Sequence, residues 1–185
     1  TSTTMWVNQS EAKGFGNAVL MAQPFVQNEP CLVHAGDSCI ISKDMDYINK
    51  LLSAYERFNA DAAFIVLEIE NPTQYGIIEG DEVEPGIFKV KNVIEKPERP
   101  KTNLAIMAMY VFHPVIFKAL EVTEPGKNGE IQLTDAIQKL IAWGLSVYAV
   151  KLDKSYAHLD IGSPQRYWAA LSLSYQRFCG GPSSD

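Results

Sequence analysis

An α/β layered sheet with one antiparallel insert is the fold class that this 185-residue sequence predicts, and three observations predict it. Ala62 to Ile69 and Leu104 to Phe112 are unbroken apolar runs, the composition of strands buried on both faces. Helical stripes at i, i+3, i+4 and i+7 stand between and after such runs, at Met45, Tyr47, Ile48, Leu51, Leu52 and Tyr55, and at Ile131, Leu133, Ala136, Ile137, Leu140 and Ile141. Two strand-like runs between Tyr75 and Glu95 flank a Pro85-Gly86 turn and read as an antiparallel ribbon.

Taken in chain order, Gly16 to Ala22 opens a short helix after a glycine turn, and Cys31 to Ala35 is a strand bounded by Pro30 and Gly36. Asp44 has the place of an N-cap for a helix that runs to about Phe58. Asn71-Pro72-Thr73 breaks the chain after the first buried strand. The ribbon pairs Tyr75 to Glu79 with Phe88 to Glu95, the core strand Leu104 to Phe112 follows, and Pro114 to Leu120 forms a short helix. The helix from Ile131 to Trp143 ends at Gly144, and Val147 to Leu152 is the next strand. A last helix spans Pro164 to Phe178, with proline in its first turn and Ser163 as N-cap. No linker divides residues 1–178, which are expected to form one domain, with 179–185 a flexible small-residue tail.

Composition narrows the function. With 46% hydrophobic residues the chain can bury an ordinary core. A net charge of −6 argues against nucleic-acid binding, which relies on a basic face that releases counterions, so any phosphate must be met locally. Cys31, Cys39 and Cys179 are odd in number and lack C-x-x-C spacing; two sit in strand-like context as buried thiols, a reducing, cytoplasmic pattern. The longest apolar run, Leu104 to Phe112, is far shorter than the ~20 residues of a membrane helix, so no membrane partner is expected.

Two carboxylates carry the chemistry. Asp37 in Ala35-Gly36-Asp37-Ser38 and Asp160 in His158-Leu159-Asp160-Ile161-Gly162 each follow an apolar stretch at a glycine-flanked turn. Meeting in one cleft, they would hold a divalent metal. Either alone would read as a turn residue. Glu95-Lys96-Pro97 sets an acid and a base side by side, their direction fixed by proline, which suits a polyhydroxylated, phosphorylated ligand although an exposed ion pair would look the same. His158 reads as a packing or hydrogen-bonding residue rather than a ligand, because hard cations take oxygen. Asp44-Met45-Asp46 is a D-x-D in which Asp44 reads first as the helix cap. The sequence has no G-x-S-x-G elbow, H-E-x-x-H or P-loop.

These motifs, in their order, resemble the sugar-1-phosphate nucleotidyltransferase family, most closely its glucose-1-phosphate uridylyltransferase branch. They are Gln9 with Gly14-Phe15-Gly16-Asn17-Ala18, Ala35-Gly36-Asp37, Tyr75-Gly76-Ile77-Ile78, Glu95-Lys96-Pro97, Asn103-Leu104-Ala105, Gly129-Glu130-Ile131-Gln132-Leu133-Thr134-Asp135-Ala136-Ile137 and Leu159-Asp160-Ile161-Gly162-Ser163. The resemblance implies a Rossmann-like nucleotide-diphospho-sugar transferase fold with a mixed, mostly parallel sheet. It implies Mg2+ on Asp37 and Asp160, with Asp37, Lys96 and Asp160 catalytic. Gln9 and Gly14 would read the base, the amide satisfying both donor and acceptor. Gly76, Glu95 and Lys96 would hold the sugar, Lys96 on its phosphate and Glu95 on its hydroxyls. The substrates implied are a nucleoside triphosphate and a sugar-1-phosphate, joined as a nucleotide-sugar with release of pyrophosphate.

Two departures stand out. Ala108 occupies a position where relatives more often have glycine. The family's opening loop, roughly G-x-G-T-R-x-x-P, has no counterpart, so the resemblance starts at the family's third strand and an N-terminally truncated, nearly inactive domain is expected. An open sheet edge in such a domain would drive self-association into a homo-oligomer. The rival readings are a metal-dependent glycosyltransferase using Asp44 and Asp46, and a non-catalytic module that binds nucleotide-sugar.

Overall fold

The structure is a computed structural model that describes residues 3–42 and 46–178, except the side chains of Lys127, Arg177 and Phe178. Helices α1 (Phe15–Leu20) and α2 (Gln23–Val26) lead into strands β1 (Cys31–His34) and β2 (Ser38–Ile41). Helix α3 (Asp46–Arg57), strand β3 (Ala62–Glu68), the ribbon β4 (Gly76–Glu84) and β5 (Ile87–Glu95), and strand β6 (Leu104–Phe112) follow. The chain continues through α4 (Val115–Glu121), α5 (Leu133–Ala142), β7 (Val147–Lys151), β8 (Ala157–Asp160) and α6 (Pro164–Phe178). The expected N-cap Asp44 and the tail 179–185 lie outside the described residues.

Six strands form one mixed sheet in the order β1-β6-β3-β7-β5-β4. The expectation of a mostly parallel sheet is corrected: among the described ladders only β3 with β7 is parallel. A parallel neighbour needs a crossover, and the chain makes one from β3 to β7 through later elements. After β3, however, it turns back through the β4–β5 ribbon instead of a helix, so β6 arrives reversed and inserts between β1 and β3, which share a direction.

Alternation along the central strands builds a core on each face. Phe64 and Val66 of β3 with Ile106, Tyr110 and Phe112 of β6 pack under α1, α4 and α5, against Ile116, Leu120, Ile137 and Leu140. Ala63 and Ile65 with Met107, Met109 and Val111 face α3, where Tyr47, Leu51 and Ala54 close over them. Phe64, Ile65 and Val66 are fully buried, and side chains of this kind each contribute roughly 1.5–3 kcal/mol by leaving water. Helix α5 stops where expected, with Gly144 at φ 80.

A small second sheet pairs β2 with β8 antiparallel, with Ser38 opposite Asp160 and Ile40 opposite His158. It also corrects one burial expectation: β2 turns Ile40 and Ile41 inward and leaves Cys39 exposed, while Cys31 is half-buried. No helix among the described residues is long and apolar enough to cross a membrane.

Candidate active site

The β2–β8 pairing brings together two residues that are far apart in sequence. Asp37 immediately precedes β2 and Asp160 ends β8, and the Ile161 amide donates to the Asp37 carbonyl at 2.9 Å. A Cβ placed on Gly162 would lie 3.0 Å from Asp160 Oδ1 and 3.4 Å from Asp37 Oδ2, so both carboxylates converge on one point and only a residue without a side chain leaves that point open. Two carboxylates and no sulfur or imidazole at that point form a hard-oxygen donor set, which fits Mg2+ completed by substrate oxygens and water. No group of three or more His, Cys, Asp or Glu side chains suited to a metal occurs among the described residues.

The pair opens on a recess of about 150 Å³ that Tyr75, Ala108, His158 and Arg166 also line. His158 shares a 2.8 Å hydrogen bond with the buried Ser38 hydroxyl and meets the Tyr75 ring edge-on. Burial holds its imidazole below the ordinary range, and the nearby Asp160 carboxylate partly offsets that. It is the packing and hydrogen-bonding residue that the sequence implied. Arg166, from the first turn of α6, ion-pairs with Asp160 Oδ2, a contact that sequence reading missed.

Lys96 and Glu95 are tied to Tyr75, whose carbonyl accepts the Lys96 amide at 3.0 Å. Lys96 has φ 43, a left-handed conformation that costs a residue with a Cβ of the order of 1 kcal/mol or more and that gathers at functional sites. Its ammonium lies 3.5 Å from Glu95 Oε1. The other oxygen, Glu95 Oε2, accepts from the Thr134 hydroxyl at 2.9 Å, and Thr134 is 5% exposed. Sequence reading overlooked Thr134 as a site residue, and its one signal was a hydroxyl on the apolar face of α5. Gly76 borders both groups, since a Cβ there would lie 2.7 Å from Thr134 Cγ2 and 3.3 Å from Glu95 Oε2.

Gln9 and Gly14 form a third cluster. Gly14 has φ 94 and caps α1, where a Cβ would meet Glu130 Cβ at 2.7 Å. The Gly16 amide donates to the Ile131 carbonyl and the Ile131 amide to the Lys13 carbonyl, so the segment before α5 straps this loop in place. Gln9 Nε2 donates to the Gly14 carbonyl at 3.2 Å and to Asn17 Oδ1 at 2.7 Å. The amide was expected to offer a base both donor and acceptor. Its donor half is used inside the protein, which leaves Oε1 as the acceptor.

Asp46 does not join the site. It bonds the Tyr156 hydroxyl and Lys50 and lines a separate cavity beside α3 and the β4–β5 turn, which removes one acid of the D-x-D reading.

Comparison with known proteins identifies the family. A UTP--glucose-1-phosphate uridylyltransferase of Pseudomonas aeruginosa is 35% identical over 179 residues, covering 94% of this chain and 62% of that relative. UTP--glucose-1-phosphate uridylyltransferase 1 of Staphylococcus saprophyticus is 42% identical over 139 residues, 73% of this chain and 48% of the relative. Among solved structures, a UDP-glucose pyrophosphorylase complexed with UDP-glucose superposes with a TM-score of 0.86 at 32% identity, covering 94% of this chain and 66% of that one. The UTP-bound enzyme of Acinetobacter baumannii gives a TM-score of 0.79 at 27% identity, covering 94% and 60%. The chain thus spans less than two thirds of the length of these curated relatives. The profile of the nucleotidyl transferase family matches residues 2–176, and the chain belongs to that family.

Proposed function

We propose that this chain carries the sugar side and the metal pair of a sugar-1-phosphate nucleotidyltransferase that makes UDP-glucose. An oxygen of the glucose-1-phosphate group attacks the α-phosphorus of UTP, the bond to the β-phosphate oxygen breaks, and pyrophosphate leaves. The observation that carries this reading is the convergence of Asp37 and Asp160 on one point, in a recess lined by Tyr75, whose carbonyl holds the amide of the strained Lys96 beside Glu95.

Asp37 and Asp160 would hold Mg2+, which when bound draws charge from the α-phosphate. The remaining roles belong to side chains of this chain. Lys96 places a cation on the glucose phosphate. Glu95, fixed by Thr134, accepts from glucose hydroxyls. Gln9 Oε1 accepts the N3–H of uracil, a donor that cytosine lacks. No covalent intermediate is required, so position and charge supply the catalysis. The solution setting we infer is cytoplasmic, in keeping with the free thiols.

Calorimetry with UDP-glucose tests this reading. Binding should be detectable, and Lys96→Ala should weaken it at least about tenfold while UMP binding stays within about twofold. Absence of UDP-glucose binding, or equal loss of UMP and UDP-glucose affinity in Lys96→Ala, would overturn the assignment.

A further inference from the structure

Arg166 places a positive charge at the metal pair. Its guanidinium is bonded to Asp160 Oδ2, while Asp160 Oδ1 accepts the Gly162 amide at 2.7 Å, so both oxygens of that carboxylate are taken. No hydrogen bond or ion pair among the described residues reaches the Asp37 carboxylate, which faces the same point and lines the same recess as Arg166. A cation seated between the two acids therefore finds the Asp37 carboxylate available and the Asp160 carboxylate already engaged, Oδ1 by the Gly162 amide and Oδ2 by Arg166.

The position of Arg166 makes that occupation reversible. It lies in the first turn of α6, its amide donating to Ser163 Oγ at 3.3 Å, where the helix dipole disfavours a cation. Asp160 is thus the contact that offsets this charge. The Arg166 side chain is 50% exposed, so it can swing into water without unpacking a core.

We propose that Arg166 is an internal cation that holds Asp160 until a divalent metal displaces it, and that it sets how tightly the chain binds metal. This rests on the reading of Asp37 and Asp160 as the metal pair. Arg166 is a positioning residue in this scheme: it keeps the Asp160 carboxylate aimed at the recess before metal arrives and raises the metal concentration needed to fill it.

Direct Mn2+ binding, read from the electron paramagnetic resonance signal of the free ion, tests the proposal without any turnover. Arg166→Gln should bind Mn2+ about tenfold more tightly than the parent chain, Arg166→Lys should stay within about twofold of it, and Asp37→Asn should abolish the binding in each background. If Arg166→Gln binds no more tightly while Asp37→Asn still abolishes binding, Arg166 does not compete and the metal pair stands. If Arg166→Lys binds as tightly as Arg166→Gln, the charge is not the competitor and the proposal also falls. Mn2+ binding that ignores Asp37→Asn in every background overturns the metal pair itself, and this proposal with it.

Discussion

Gly76 and Thr134 are in such close contact that a Cβ on the glycine would stand 2.7 Å from the threonine methyl. That methyl shares its carbon with the hydroxyl that fixes Glu95, so the packing of one residue and the aim of the other are a single constraint. Gly76→Ala should therefore cost about 1–3 kcal/mol in urea unfolding and weaken UDP-glucose binding by moving Glu95. Thr134→Ser keeps the hydroxyl and removes the methyl. In the Gly76→Ala background it should restore most of both losses, whereas additive losses in the double variant would show that the two residues are not coupled.

Ala108 offers a test in the stabilising direction. The β3–β6 register shifts between Phe64 and Val66, and opposite that shift Ala108 takes φ 44 while its carbonyl accepts the Ala35 amide at 3.0 Å. The left-handed conformation costs an alanine about 1–2 kcal/mol, and glycine removes that cost while losing roughly 0.5–1 kcal/mol to the entropy of the unfolded chain. Ala108→Gly should thus raise stability by about 0.5–1 kcal/mol in urea unfolding. A loss of stability would mean that the Cβ contacts in the recess outweigh the strain.

His158 makes stability depend on pH. Burial lowers its folded-state pKa, so between that value and the unfolded value near ~6.5 the unfolded chain binds more protons. Stability is then fully present above pH ~6.5 and is lost as pH falls through the folded pKa. His158→Phe preserves the contact with Tyr75 and should flatten the dependence of the urea midpoint on pH in this window. The same slope in both proteins would assign it to other groups.

These residues also mark what the sequence could reveal. The β3 strand was legible because Ala62 to Glu68 is apolar at six consecutive buried positions, and α5 because its apolar spacing is helical. The direction of β6 was not, since an apolar run carries no sign of which way it enters a sheet. The β2–β8 pair escaped notice because His158 and Asp160 interrupt a strand of four residues, too short for alternation to register. Asp37, Asp160, Glu95 and Lys96 were legible as adjoining polar punctuation after apolar strands. Thr134 and Arg166 were not, because each matters through a partner more than five residues away that only the fold brings near.

Strand β1 carries the last expectation. Among the described residues it stands at the end of the six-stranded sheet with β6 as its one strand neighbour, and Leu32 on it is 44% exposed. An edge strand with a free row of amides and carbonyls and an apolar side chain at the surface is a template for another strand. We therefore expect the 185-residue chain to self-associate through β1, seen as a concentration-dependent rise in sedimentation coefficient. Leu32→Lys adds a charge to that edge without touching the site, and should return the chain to a monomer at the same concentration with UDP-glucose affinity unchanged. Association that persists in Leu32→Lys would move the contact to another surface, of which the exposed Trp168 and Tyr175 on α6 are the next to test, by Trp168→Glu.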